Sequence, residues 1–122
     1  MGTSLAVPED ILPMHLEPKR LLERQELKPV SDRLKASGKK IVTLNGCFDL
    51  LHVGHLHLFK EAKKLGDILI VGLNSDSSVK SLKGPDKPLI SQEQRAEMLL
   101  SIRYVDYVHI FSEIEPMPFL EE

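Results

Sequence analysis

Two histidines three residues apart, His52 and His55, sit in the segment Asn45-Gly46-Cys47-Phe48-Asp49-Leu50-Leu51-His52-Val53-Gly54-His55. On the first turn of a helix that spacing puts both imidazoles on one face. The free peptide N–H groups of the same turn carry the positive end of the helix dipole, a ready receptor for phosphate. Two imidazole donors there can stabilise the extra negative charge on a phosphorus centre during displacement, and neither need act as a base. A lone histidine would read as a satisfied structural residue, but a pair that follows a strand and opens a helix reads as a site. Gly46 allows the backbone to turn closely, and Gly54 is expected to leave room for a ligand against the helix. His57 is assigned to the surface.

Further candidates surround this pair. Lys83 falls in the Gly/Pro-rich run Lys83-Gly84-Pro85-Asp86-Lys87-Pro88, read as a mobile loop able to close on phosphates. Arg95 shares a helix face with Met98, Leu99 and Ile102, so it is either an inward-facing ligand arginine or half of a structural ion pair. Asp49 either holds the loop by hydrogen bonds or contacts substrate. Asn74 and Asp76 follow a strand, where a sugar or phosphate would lie, although Asp76 also reads as a helix cap. Lys60, Lys63 and Lys64 read as a solvated helix face.

These residues need a scaffold, and the chain supplies one by alternating strand and helix signals from Lys39 onward. Residues 41–44 form a β-prone run ended by the turn formers Asn45 and Gly46. A helix is predicted from about His52 to Leu65, with Leu51, His55, Leu58, Ala62 and Leu65 on its inner face. Residues 68–71 are continuously apolar, as a strand covered on both faces must be. Ser75 and Asp76 can cap a short helix to Leu82. Ser91 and Gln94 have capping-box spacing for another helix to about Ile102, and residues 107–111 read as a third strand. Pro116 permits one more helix start. The resulting expectation is a three-layer α/β/α domain with a parallel sheet, the first strand beside the second and the second beside the third. Residues 1–38 are read as an N-terminal helical arm of one or two short helices ending at Ser37-Gly38, and residues 39–122 as the catalytic domain.

Length and composition narrow the function. At 122 residues the chain makes one domain or most of one. No apolar stretch approaches the length of a membrane span, and no secretory signal opens the chain, so a cytoplasmic location is expected. The formal net charge of −2 argues against broad nucleic-acid binding. Cys47 is the single cysteine, which excludes an internal disulfide and a cysteine-based zinc site. No protein-held metal is expected.

The segment from Gly46 to His55 resembles the signature of the cytidylyltransferase-like nucleotidyltransferases, the His-x-Gly-His type of Rossmann-like fold. Within that group, residues 43–49, Val71-Gly72-Leu73-Asn74-Ser75-Asp76 and Leu82-Lys83-Gly84-Pro85 resemble the adenylyltransferase domains of bacterial ADP-heptose synthases. The resemblance implies adenylyl transfer from ATP, with Mg²⁺ carried by the nucleotide, to D-glycero-β-D-manno-heptose 1-phosphate, giving ADP-heptose and pyrophosphate. It implies that His52, His55 and Lys83 act on the triphosphate, that Gly46, Cys47, Phe48, Gly54 and Arg95 bind the nucleotide, and that Asp49, Asn74 and Asp76 lie toward the acceptor. Ser101-Ile102-Arg103-Tyr104-Val105-Asp106 also resembles glycerol-3-phosphate cytidylyltransferase, so CTP and glycerol 3-phosphate are the rival substrates. The later Ser/Thr-rich motif of the group has no counterpart before Glu122. A domain lacking its C-terminal strand-helix units is therefore expected, with a non-catalytic nucleotide-binding piece as a further alternative. Its first strand would expose an apolar edge along residues 41–44 or cover it with a second copy in a homo-oligomer.

Overall fold

The computed structural model describes residues 20–112. The elements are α1 (Arg24–Ala36), β1 (Ile41–Gly46), α2 (Val53–Lys63), β2 (Ile68–Asn74), α3 (Asp76–Lys83), α4 (Gln92–Leu100) and β3 (Tyr107–Phe111). The three strands are parallel in the order β1-β2-β3, as the sequence predicts. The part of the arm before Arg20 and the helix start at Pro116 lie outside the described residues.

Alternation along β2 sorts the core into two faces. Leu69, Val71 and Leu73 point to one side and pack with Phe59 and Ala62 of α2, Ala96 and Leu99 of α4, and Val108. Ile70 points to the other side and packs with Leu22 and Leu27, with Ile41, Ile68 and Tyr107 at the margin. Helices therefore cover both faces of the sheet. This is the three-layer Rossmann-like α/β architecture, and it explains why β2, buried on both sides, is apolar almost throughout.

Several local expectations are corrected. The inner face of α2 carries Phe59 and Ala62, whereas Leu58 and Leu65 are 44% and 65% exposed. The helix begins at Val53 with His52 as its cap, and it is turned so that Phe59 and Ala62, rather than Leu58, face the sheet. Asn45 and Gly46 extend β1 instead of forming the turn, which follows them. The arm contains one continuous helix over its described part, with Pro29 inside it, capped by Glu23 and Glu26 and closed at Gly38 with φ +83°. Through Leu22 and Leu27 that segment belongs to the same core as the sheet.

The arm also finishes an edge of the sheet. Leu21 bridges Val108, Leu22 N–H donates to the Val108 carbonyl at 2.8 Å, and Val108 N–H donates to the Arg20 carbonyl at 2.9 Å. Arg20 fastens this strip by donating to the carbonyls of Leu100, Val105 and Asp106. The outer edge of β1 has no partner strand among the described residues, and the side chains of residues 41–44 are only half-buried. Where α2 returns to β2, a Cβ on Gly66 would lie 2.7 Å from Val42 Cγ2 and 2.8 Å from the Lys40 carbonyl, so only glycine fits that approach.

Candidate active site

The turn from β1 to α2 places both histidines at the C-terminal end of the sheet, where open α/β folds hold ligands. Phe48 makes the turn at φ +46°, a left-handed conformation costing a non-glycine residue about 1–2 kcal/mol. Packing holds it there. Its ring lies over Gly46, where a Cβ would stand 2.7 Å from Phe48 Cζ, and it meets His55 edge-on at 5.6 Å and Phe59 at 5.3 Å.

His52 and His55 then cap α2 reciprocally. His52 Nδ1 accepts from Gly54 N–H at 3.0 Å, and His55 Nδ1 accepts from His52 N–H at 3.1 Å. The His55 bond is the N3-to-N-cap half of a capping box and the Gly54 bond caps the second helical amide, with imidazoles in place of the usual hydroxyl and carboxylate. The rings lie 4.1 Å apart, centroid to centroid. A ring nitrogen that accepts cannot carry a proton, so on each neutral ring the proton sits on Nε2, which has no partner among the described residues. Partial burial, with the neighbouring His52 in support, lowers the pKa of His55 and favours its neutral form. The site thus presents two adjacent uncommitted N–H donors beside a helix N-terminus.

Gly54 serves the turn in a further way. A Cβ there would come within 2.8 Å of His52 Cε1 and 3.0 Å of its Nδ1, so the missing side chain also makes room for the His52 ring.

Arg95 is the centre of a separate, internal bracket. It is 1% exposed, and its guanidinium donates to the carbonyls of Ile90, Cys47 and Asn74 and to Asp76 Oδ1 at 2.8 Å. One side chain so ties the tip of β1, the tip of β2, the start of α3 and the approach to α4. The ion-pair alternative is the one the structure shows. Asp76 is the first residue of α3, capped by Ser75, and its N–H donates to Gln92 Oε1. Asn74 is buried, donating to Ser78 Oγ at 2.8 Å, with Cys47 Sγ 3.8 Å from its Oδ1.

Asp49 faces the following loop. Its carboxylate accepts from Leu89 N–H at 2.8 Å and Ile90 N–H at 2.9 Å, latching residues 84–91 beside the histidine turn. Desolvation alone would raise its pKa, but these hydrogen bonds, with Arg95 and Lys87, bring it below the usual carboxylate value. Lys83 is the exposed last residue of α3, one position before the loop assigned to it. Lys87 and Gln92 were missed by sequence reasoning. The first could have been found from its place in the same Gly/Pro run, the second from its position directly after the Ser91 cap. Sequence candidates therefore divide: His52, His55, Gly46, Phe48 and Gly54 form the histidine turn, whereas Cys47, Asn74, Asp76 and Arg95 form the bracket behind it. His57 is exposed on α2. The described residues contain no cluster of three or more His, Cys, Asp or Glu able to hold a metal, and no helix long and apolar enough to cross a membrane.

A parallel α/β sheet whose first strand-helix turn carries paired histidines defines a nucleotide-binding domain of the His-x-Gly-His class. The chain belongs to the cytidylyltransferase-like family, whose profile matches residues 43–122. It is similar to the Bifunctional protein HldE of Syntrophotalea carbinolica, 46% identical over 98 residues that cover 80% of this chain and 20% of that protein. The Bifunctional protein HldE of Geobacter metallireducens is 42% identical over 126 residues, 99% of this chain and 26% of that protein. The chain thus spans between a fifth and about a quarter of the length of these curated relatives. Among solved structures, a lipopolysaccharide core biosynthesis protein from Thermoplasma volcanium GSS1 matches with a TM-score of 0.61 at 32% identity, covering 68% of this chain and 66% of that one.

Proposed function

We propose that this domain transfers an adenylyl group from ATP to D-glycero-β-D-manno-heptose 1-phosphate, giving ADP-heptose and pyrophosphate. The observation that carries the reading is the reciprocal cap, which sets two neutral Nε2–H donors side by side at a helix N-terminus. A phosphate oxygen of the acceptor attacks the α-phosphorus in line; the new P–O bond forms as the bond to the β-phosphate breaks, and pyrophosphate leaves with that electron pair. His52 and His55 donate to the phosphoryl oxygens as charge builds, and no side chain has to remove a proton. Family membership and similarity to proteins named HldE support the class of chemistry, and the sugar phosphate rests on the motif resemblance. Because Asp49 and Asp76 are committed to Leu89, Ile90 and Arg95, the described residues offer Mg²⁺ no cage of their own. A Mg²⁺ ion carried by the nucleotide would supply charge neutralisation at the phosphates, while His52 and His55 remain the protein's own donors there.

A second reading, cytidylyl transfer to glycerol 3-phosphate, is favoured by residues 101–106. Pyrophosphate release assayed with ATP or CTP against heptose 1-phosphate or glycerol 3-phosphate separates the two. Turnover is expected with ATP and the heptose phosphate, and turnover only with CTP and glycerol 3-phosphate overturns the choice. Nucleotide binding without turnover in any combination marks a non-catalytic binding domain.

A further inference from the structure

We infer that Gly54 is a positioning residue: its N–H fixes the tautomer of His52, and its missing side chain lets the His52 ring lie where that bond can form. The inference rests on the nucleotidyl-transfer reading for its consequence, but the geometry stands without it. His52 Nδ1 accepts from Gly54 N–H at 3.0 Å, while a Cβ at Gly54 would stand 2.8 Å from His52 Cε1. A Cβ at 54 therefore forces the His52 ring to shift from the position in which it accepts that N–H. His55 is oriented separately, its Nδ1 accepting from His52 N–H at 3.1 Å, so each ring answers to its own backbone amide. A free imidazole exchanges its proton between two nitrogens, and a phosphate-binding pair left to itself would present either one. Here the backbone makes the choice, and both rings offer Nε2–H before any ligand arrives.

The alternative is that Gly54 serves only the packing of the helix start. The two roles make opposite forecasts for Gly54→Ala. Alanine is the better helix former, and the atom it meets is a side chain on an exposed surface that can swing away, so a purely structural role forecasts an equal or higher thermal midpoint with unchanged turnover. A positioning role forecasts the same midpoint with turnover reduced at least tenfold.

The test uses the intact chain with ¹⁵N-labelled histidine and no nucleotide. At neutral pH the wild-type rings of His52 and His55 are expected to show an unprotonated Nδ1 and a protonated Nε2. In Gly54→Ala the His52 signals are expected to move to the averaged pattern of a free imidazole while His57 stays unchanged. A wild-type His52 that carries its proton on Nδ1 or averages between the two overturns the inference, as does a Gly54→Ala protein with wild-type turnover. The ring signals are read without catalysis, so a chain that turns over no nucleotide defeats the proposed function and still leaves the tautomer decided by the spectra.

Discussion

The histidine turn and the Arg95 bracket lie next to each other, meet at the Cys47-Phe48 peptide, and use cationic or potentially cationic side chains in opposite ways. Arg95 is buried, and its donors are taken by Ile90, Cys47, Asn74 and Asp76. His52 is exposed, and each histidine spends one nitrogen on the backbone and keeps the other uncommitted. A side chain whose donors are consumed by the fold stabilises the site from behind, whereas one with a spare donor at the surface has something left for a ligand. Residue type alone does not distinguish them; where the hydrogen bonds end does.

The comparison is broken most forcefully at Arg95. Arg95→Ala leaves three carbonyls and the partly exposed Asp76 carboxylate without their donor, and each buried acceptor left unsatisfied costs about 1–3 kcal/mol. Denaturant unfolding is expected to show that loss, with nucleotide affinity per folded molecule retained; an Arg95→Ala protein of normal stability that no longer binds nucleotide would return Arg95 to the ligand.

At the histidines the balance reverses. His52→Asn keeps an excellent N-cap acceptor but no Nε2–H, so turnover is expected to fall on the order of 10²-fold while the thermal midpoint stays within a few degrees. His55→Ala should lose turnover by a similar factor, about 2.7 kcal/mol of transition-state stabilisation. A destabilised His55→Ala protein with near-normal turnover per folded molecule would make that residue structural. Asp49→Ala releases the latch on residues 84–91 and is expected to cost about 1–2 kcal/mol, with faster hydrogen exchange at the Leu89 and Ile90 amides. Unchanged exchange there would remove the latch.

Acid sharpens the contrast between the two carboxyl- and imidazole-based contacts. The pKa of His55 is lowered in the folded state, so its contribution is present above the unfolded value near 6.5 and is lost as pH falls through the folded value. Asp49 is also lowered, and its contribution is present above about 3.8 and lost only at more acid pH. Thermal midpoints are therefore expected to decline first below pH 6.5 in a step that His55→Ala abolishes, and again below about pH 3.8 in a step that Asp49→Ala abolishes. The smallest change belongs to His57→Ala, exposed on α2, which should alter stability by no more than about 0.5 kcal/mol and leave turnover intact.

How far the sequence showed this contrast follows from the range of its signals. Strand order and the helix start at His52 were legible because apolar runs and capping residues are local. The Arg95 bracket was legible only as an alternative, since its partners Cys47 and Asn74 lie far away in the chain. The strip at residues 20–22 was invisible, because one bridge to Val108 leaves no periodic trace. Phe59 is not distinguished from Leu58 by spacing, because both lie three or four residues from His55 and from Ala62 although neighbours on a helix point about 100° apart. That the His52 ring lies beside Gly54 was not legible either, because a sequence does not show which side chain packs against a glycine.

Titration of ATP into the intact chain, followed through the imidazole nitrogens, addresses the paired-donor site most directly. His52 and His55 Nε2–H signals are expected to shift together and saturate at one dissociation constant, with His57 still. Saturable ATP binding that leaves both rings unmoved would contradict the assignment of His52 and His55 as the phosphate donors.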